Sequence, residues 1–240
     1  LKTRLDRLLV ERGLAESREK AQALIMAGEV LLDGQKASKP GQPVGDAAAI
    51  EVLARPPYVS RGGRKLAGAL EQFAIAVAGK VCLDIGSSTG GFTDALLQAG
   101  ARRVHAVDVG AGQLAWSLRT DPRVAVHEGI NARALQFADI GEAVDLLTCD
   151  VSFISVTLIL PAAVPLLQPS GQMVILIKPQ FEVGKGQVGK GGIVRDPQLH
   201  QAACDRVDGA VREFGFETSI MESPILGAEG NKEFLLYARP

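Results

Sequence analysis

VCLDIGSSTGGFTD, residues 81–94, decides how the rest of the chain is read. Val81 to Ile85 is a short run, apolar but for Asp84 and without regular polar alternation, the pattern of a strand buried on both faces. It ends at Gly86-Ser87-Ser88-Thr89-Gly90-Gly91, where small residues let backbone approach a ligand closely. Helical spacing resumes from Phe92 to Ala99.

Outward from this unit, Val104–Val109, Val124–His127, Val144–Cys149 and Met173–Ile177 are further apolar runs, and Leu199–Phe214 reads as a helix. Strands separated by helices predict a doubly wound α/β domain with a parallel sheet covered on both faces. Phe216–Ser223 and Glu233–Ala238 are strand-like runs joined by a loop, which predicts a C-terminal antiparallel hairpin at one side of the sheet. Ligands of such sheets sit at the carboxyl ends of the strands, near the switch in strand order. Asp108 ends the second strand, 24 residues after Asp84, where an acid can bind both hydroxyls of a ribose. The pattern suits an adenosine-containing cofactor, without the GxGxxG fingerprint. Gly86–Gly90 also matches the GxSxG nucleophile elbow with Ser88. That reading needs His200 as base and leaves Asp84 and Asp108 unused. Gly184–Lys190 fits GxxxxGK, but Gly191 replaces the Ser/Thr that would hold magnesium, so a glycine-rich lid is the plainer reading.

Before Val81 the pattern differs. Leu5, Leu8 and Leu9, then Ala21, Leu24 and Ile25, recur at helical spacing, with Gly13 as a stop and Ser17 as an N-cap. Val30–Leu32, the Asp33-Gly34 turn and Ala49–Leu53 predict a small sheet. Arg55-Pro56-Pro57 is a stiff break, which gives a small α+β domain over residues 1–58 and the larger domain over 59–240. Residues 1–65 carry a net charge of +4 and the remainder −5, within a whole-chain balance of −1. That balance excludes a nonspecific nucleic-acid coat, not a small basic RNA-reading module. Cys82, Cys149 and Cys204 lack CxxC spacing, so reduced thiols are expected and no metal site. The N-terminal residues have no signal-peptide apolar region. No run reaches the ~18–20 apolar residues of a membrane helix. Ile154–Leu167, broken by Pro161 and Pro165, reads as a buried helix beside the sheet. The expected location is the cytoplasm.

Asp150 and Lys178 end the fourth and fifth strands and so overhang the edge that carries the glycine loop. Lys65 lies at the domain entry and Glu233 begins the last strand. Around them, DIGSSTGGFTD (84–94), DVSFIS (150–155), IKPQFE (177–182) and VGKGGIVRD (188–196) resemble the TlyA family. Arg4-Leu5-Asp6 to Gly13, Ser17-Arg18 to Ala21 and Gly28-Glu29-Val30 resemble the S4 RNA-binding domain. The resemblance implies an S4 domain followed by a Rossmann-like, FtsJ-like methyltransferase domain. It also implies S-adenosylmethionine as cofactor, and 2′-O-methylation of a cytidine in 16S and/or 23S rRNA. Ribosomal RNA or ribosomal subunits are the expected partners. The Lys-Asp-Lys-Glu tetrad of the FtsJ class maps onto Lys65, Asp150, Lys178 and Glu233.

Methyl transfer to a ribose hydroxyl needs close in-line placement and a proton acceptor. Lys178 is the candidate base, oriented by Asp150, with Lys65 and Glu233 positioning the nucleotide. A free lysine, with pKa ~10.4, is mostly protonated; a second cation and burial would lower that value, and two carboxylates would raise it. Asp84, Gly86, Ser87, Gly90, Gly91, Asp108 and Asn131 are the candidate cofactor residues, with Asp108 on the ribose and Asn131 either on adenine or in a turn. Arg4, Arg7, Arg18, Lys20, Lys36, Lys39, Arg61 and Arg64 are the candidate RNA contacts. With aromatics at 5% of the chain, recognition through RNA shape and backbone is expected. The alternatives are a membrane-active hemolysin, a name found in this family, and an RNA-binding module without catalysis. The first needs a membrane-competent helix or hairpin, and the second conflicts with the presence of Asp84, Asp150 and Lys178.

Overall fold

Strands flank Val81–Ile85 on both sides, and their registers decide where the charged residues at the strand ends fall. The computed structural model describes residues 2–53, 56–227 and 230–240. It divides into two compact units, residues 1–56 and 57–240. Arg55, at the expected break, lies outside the described residues.

The first unit runs β1 (Lys2–Arg4), α1 (Leu5–Glu11), α2 (Arg18–Met26), β2 (Val30–Leu32), β3 (Gln35–Lys36), β4 (Pro43–Gly45) and β5 (Ile50–Val52). Leu5, Leu8 and Leu9 of α1 bury against Ala21 and Ile25 of α2, with Val30 and Val44 closing the core. Ser17 caps α2 by accepting from the Lys20 N–H at 3.3 Å. Asp33 and Gly34, both at positive φ, turn the chain between β2 and β3. The antiparallel pair β1–β4 was not foreseen, because charged Lys2–Arg4 and a strand opening on Pro43 carry no apolar pattern. Buried Asp6 gathers Arg4 (3.0 and 2.8 Å), Arg18 (3.0 Å) and Gln22 (2.8 Å). The Arg4 guanidinium, before the other two, holds its carboxyl well below the usual range. Two candidate RNA-contacting arginines therefore spend part of their hydrogen-bonding capacity inside the unit.

The second unit comprises α3 (Gly62–Gln72), β6 (Val81–Ile85), α4 (Gly91–Gln98), β7 (Arg103–Asp108), α5 (Trp116–Arg119), β8 (Val124–Glu128) and α6 (Phe137–Ile140). It continues through β9 (Val144–Cys149), α7 (Leu160–Ala163), β10 (Leu167–Ile177), α8 (Pro179–Glu182), α9 (Pro197–Arg212), β11 (Glu217–Glu222) and β12 (Phe234–Arg239). The sheet order is β11-β12-β10-β9-β6-β7-β8. β8, β7, β6, β9 and β10 are parallel, and β11 and β12 form the antiparallel edge read from the tail. Strand β6, the middle one of the five parallel strands, divides its side chains between two cores: Val81, Leu83 and Ile85 in one, Cys82 in the other. The first core includes Ala203, Cys204, Val207 and Val211 of α9; the second includes Leu66 and Ala69 of α3 and Phe92 and Leu96 of α4.

The single helix expected over Ile154–Leu167 is corrected. The chain forms a 3₁₀ turn at Val156–Leu158, the one-turn α7, and another 3₁₀ turn at Val164–Leu166. Pro161 and Pro165 each enter near the start of a turn and supply no N–H to continue the preceding one. The apolar side chains Val156, Ile159, Leu160, Ala163 and Leu166 are nonetheless buried. All three cysteines are buried free thiols; burial pushes Cys82 up to about 12 and Cys204 to about 11.

Candidate active site

Strand register alone assembles most of the site. Ile85 pairs with Val107 on one side and Cys149 on the other, so Gly86, Asp108 and Asp150 leave the sheet at one level. On the antiparallel side Ile177 pairs with Phe234, which brings Lys178 and Glu233 to adjacent levels. The break in strand order lies between β6 and β9, where Gly86 meets Asp150: a Cβ at Gly86 would fall 2.3 Å from the Asp150 carbonyl oxygen.

Three cavities open along this edge. The largest, about 430 Å³, is lined by Gly86, Asp108, Val109, Ile130, Asn131 and Phe153 among others. Asp108 accepts from the N–H groups of Ser88 (2.8 Å) and Gly110 (2.7 Å), one on each oxygen. Each carboxylate oxygen keeps a further lone pair for a sugar hydroxyl. Asn131 accepts from the Arg133 N–H at 3.1 Å, so it is a turn cap that also lines the cavity. A carboxylate flanked by Val109 and Ile130 suits a ribose with an attached flat base, so the residues fit an adenosine-containing cofactor. A smaller cavity of about 180 Å³ is lined by Ser60, Lys65, Ser87, Gly91, Asp150 and Lys178 among others. Its hydroxyls, amines and carboxylate suit a charged amino-acid end.

Two of the expected cofactor residues serve the loop from other positions. Asp84 is fully buried and accepts from Thr93 Oγ1 (2.7 Å) and Thr148 Oγ1 (3.0 Å), tying β6 to α4 and β9 beneath the glycine loop. Burial pushes its carboxyl up to about 6. Gly90, at φ +99°, lines none of the three cavities; a Cβ there would strike Leu118 and Leu114.

The third cavity, about 360 Å³, lies beyond Lys178 and is lined by Lys65, Ser152, Phe153, Gln180, Asn231 and Glu233 among others. Lys65, Lys178 and Glu233 line it, and Asp150, which lines the other two cavities, joins them through Lys178, so the four charged residues form two ion pairs. Lys178 Nζ is 2.6 Å from Asp150 Oδ1, and Lys65 Nζ is 2.5 Å from Glu233 Oε2. Lys65 is buried because α3 turns it inward; that helix was not foreseen, since Gly62, Gly63 and Gly68 are poor helix formers. Ser60, Ser88, Gln113, Ser152, Phe153 and Asn231 were also missed as site residues. The visible signal for Ser152 and Phe153 was their place two and three residues after Asp150. Asn231 accepts from the Val194 N–H and donates to the Gly192 oxygen, both at 2.9 Å, fastening the end of the glycine-rich loop beside the cavity.

The rival motifs fail on geometry. Ser88 Oγ donates to Gln113 at 3.2 Å, and His200 bonds the Val194 carbonyl, leaving the serine without a histidine base. Gly184–Lys190 contains one 3₁₀ turn, and the next α-helix starts only at Pro197. Of the candidate RNA contacts, Arg61 donates to the Leu226 carbonyl at 2.7 Å, and Arg64 is exposed on α3. In the first unit Arg7 lies 3.8 Å from Glu11, Lys20 pairs with Glu16, and Lys36 and Lys39 are exposed.

Comparison with known proteins matches these two units to two families: the S4 domain over residues 3–50 and the FtsJ-like methyltransferase over residues 58–239. The 16S/23S rRNA (cytidine-2′-O)-methyltransferase TlyA of Mycobacterium tuberculosis is 52% identical, across 99% of this chain and 90% of that protein. Hemolysin A of Brachyspira hyodysenteriae is 44% identical, across 98% of each. A solved structure of a candidate hemolysin from Streptococcus thermophilus superposes with a TM-score of 0.76 at 43% identity, covering 99% of this chain and 88% of that one. The chain belongs to the FtsJ-like methyltransferase family, as a relative of TlyA with an S4 domain ahead of its methyltransferase domain.

Proposed function

We propose that the protein transfers a methyl group from S-adenosylmethionine to the 2′-hydroxyl of a cytidine in ribosomal RNA, free or within a ribosomal subunit. The observation that carries this reading is the convergence of two lysine–carboxylate pairs where the cofactor cavities meet a third cavity. The name of the M. tuberculosis relative and the S4 match support the choice of substrate. Exposed Arg7, Lys36, Lys39 and Arg64 are then the phosphate contacts with most freedom to engage RNA. The hemolysin names among relatives have no support from a spanning helix: among the described residues none is long and apolar enough to cross a membrane.

Bound in the first two cavities, the cofactor supplies an electrophilic methyl group. Asp108 holds its ribose, Asn131 and the apolar walls its base, and the polar residues around Ser87 and Gly91 its amino-acid end. Lys178 Nζ takes the proton from the ribose 2′-hydroxyl, with Asp150 fixing the amine. Lys65 and Glu233 position the nucleotide in the third cavity. Phe153, 91% exposed and with its ring 5.2 Å from that of Phe181, offers a face on which the target base stacks.

The direct test is transfer of labelled methyl to 30S subunits, 50S subunits and naked rRNA, followed by mapping. Label on a cytidine ribose is the expected result, and absence of label from all three substrates rejects the reading. Asp108→Ala is expected to weaken S-adenosylhomocysteine binding in calorimetry by about 10- to 100-fold, the loss for removing hydrogen bonds to a charged group. Unchanged affinity would move the ribose elsewhere.

A further inference from the structure

Among the side chains lining the three cavities, Ser152 alone borders all of them. Its Oγ accepts a hydrogen bond from Lys178 Nζ at 2.9 Å, while Asp150 Oδ1 lies 2.6 Å from the same nitrogen. The loop that carries it is tied at both ends. The Asp150 N–H donates to the Ile85 carbonyl at 2.9 Å. Beyond Ser152, buried Glu182 accepts from Ser155 Oγ at 2.6 Å and from the Val156 N–H at 2.9 Å. Between these ties Phe153 sits at φ +66° with its ring almost wholly exposed. A left-handed aromatic residue costs about 1–2 kcal/mol, and little packing of its own offsets that here. The strain is held immediately after Ser152, at the junction of the cavities.

We propose that Ser152 is a positioning residue for proton transfer, drawing the Lys178 amine away from Asp150 and towards the point where cofactor and nucleotide cavities meet. This inference rests on the methyl-transfer reading and deepens it. A neutral lysine amine has two N–H groups and one lone pair. Ser152 Oγ accepts one N–H, and Asp150 Oδ1, in ion-pair range of Nζ but with no hydrogen bond of its own, is placed to accept the other, which leaves the lone pair to face the ribose hydroxyl. As the new C–O bond forms and the methyl–sulfur bond breaks, the sulfur keeps the bonding electrons and the hydroxyl proton passes to Lys178. Ser152 gives up no proton in this step; it sets the direction of the lone pair. Without it, Asp150 alone directs the amine, and the lone pair has no fixed heading.

The test compares Ser152→Ala, Ser152→Thr and Ser152→Cys in the full-length protein. The readouts are kcat and KM on rRNA, calorimetric affinity for S-adenosylhomocysteine, and melting temperature. Ser152→Ala is expected to lower kcat about 10- to 100-fold, the range for losing one hydrogen bond to an amine that becomes charged. KM, cofactor-product affinity and melting temperature should stay near wild type, because the loop ties do not involve the hydroxyl. Ser152→Thr restores most of kcat and Ser152→Cys does not, since a thiol is a poor acceptor. A Ser152→Ala protein with wild-type kcat overturns the inference, as does a loss that appears in S-adenosylhomocysteine affinity or melting temperature, or that threonine fails to rescue. In each of those cases wild-type transfer still stands. A wild-type protein that methylates no rRNA substrate overturns the parent reading and this one together.

Discussion

Lys178→Ala is expected to reduce methyl transfer by about 10³-fold or more, within the range that a positioned acid–base group supplies together with correct placement of the hydroxyl. The lysine stands between Asp150 and Ser152 and borders both the small polar cavity and the third cavity; Lys65 borders both as well, but without a bond to Ser152. Lys65 is held on Glu233. Affinity for S-adenosylhomocysteine should fall far less than turnover: Lys178 borders the cavity for the amino-acid end, but Asp108 and the apolar walls around the adenosine are separate from it. Lys178→Arg should be equally inactive: a guanidinium keeps its proton and cannot accept another. Single-turnover transfer with labelled cofactor, beside calorimetry, distinguishes the outcomes. Retained turnover in either variant removes Lys178 as base. Loss of product binding in Lys178→Ala would show instead that the residue belongs to the cofactor site.

Why Lys178 was visible in sequence, and its neighbours were not, follows from what each position depends on. A charged residue directly after an apolar run must leave a buried strand at its end, so Asp108, Asp150 and Lys178 declared their place through local pattern alone. Glu233 needed the antiparallel register of β10 and β12, which the paired runs of the tail implied. Lys65 is different. Its inward position depends on α3, and Gly62-Gly63 obscures that helix: Gly63 has no side chain because Tyr58 packs where its Cβ would be, 2.2 Å from the ring. Gly90 is a related case. Its absence of a side chain makes room for Leu114 and Leu118, a packing need that the sequence does not announce. Asp84 likewise has the composition of a ligand-binding acid and the surroundings of a buried tie. Ser152 could be placed near the site from its distance to Asp150, but its bond to Lys178 needs the turn at Phe153, which no residue type announces.

The Lys65–Glu233 pair offers the other large effect, and one that separates holding the fold from doing the chemistry. Lys65 is 8% exposed and Glu233 3%, with 2.5 Å between their charged atoms. Removing one partner leaves an uncompensated buried charge, a loss of about 3–5 kcal/mol. For a unit of this size Glu233→Leu should therefore lower the melting temperature by roughly 10 °C. Removing both is a different experiment. Apolar residues of similar volume often match or exceed a buried ion pair in stability, because two desolvation penalties disappear with the attraction. Lys65→Met combined with Glu233→Leu should thus recover most of the lost melting temperature. Activity should not return, since both groups border the nucleotide cavity and neither replacement can bind a sugar or phosphate. A double variant that is both stable and active would show that the pair only fills space. One that stays unstable would show that the charges themselves hold α3 to β12. Recovery of stability without recovery of methyl transfer places Lys65 and Glu233 with Lys178 and Asp150 in the chemistry.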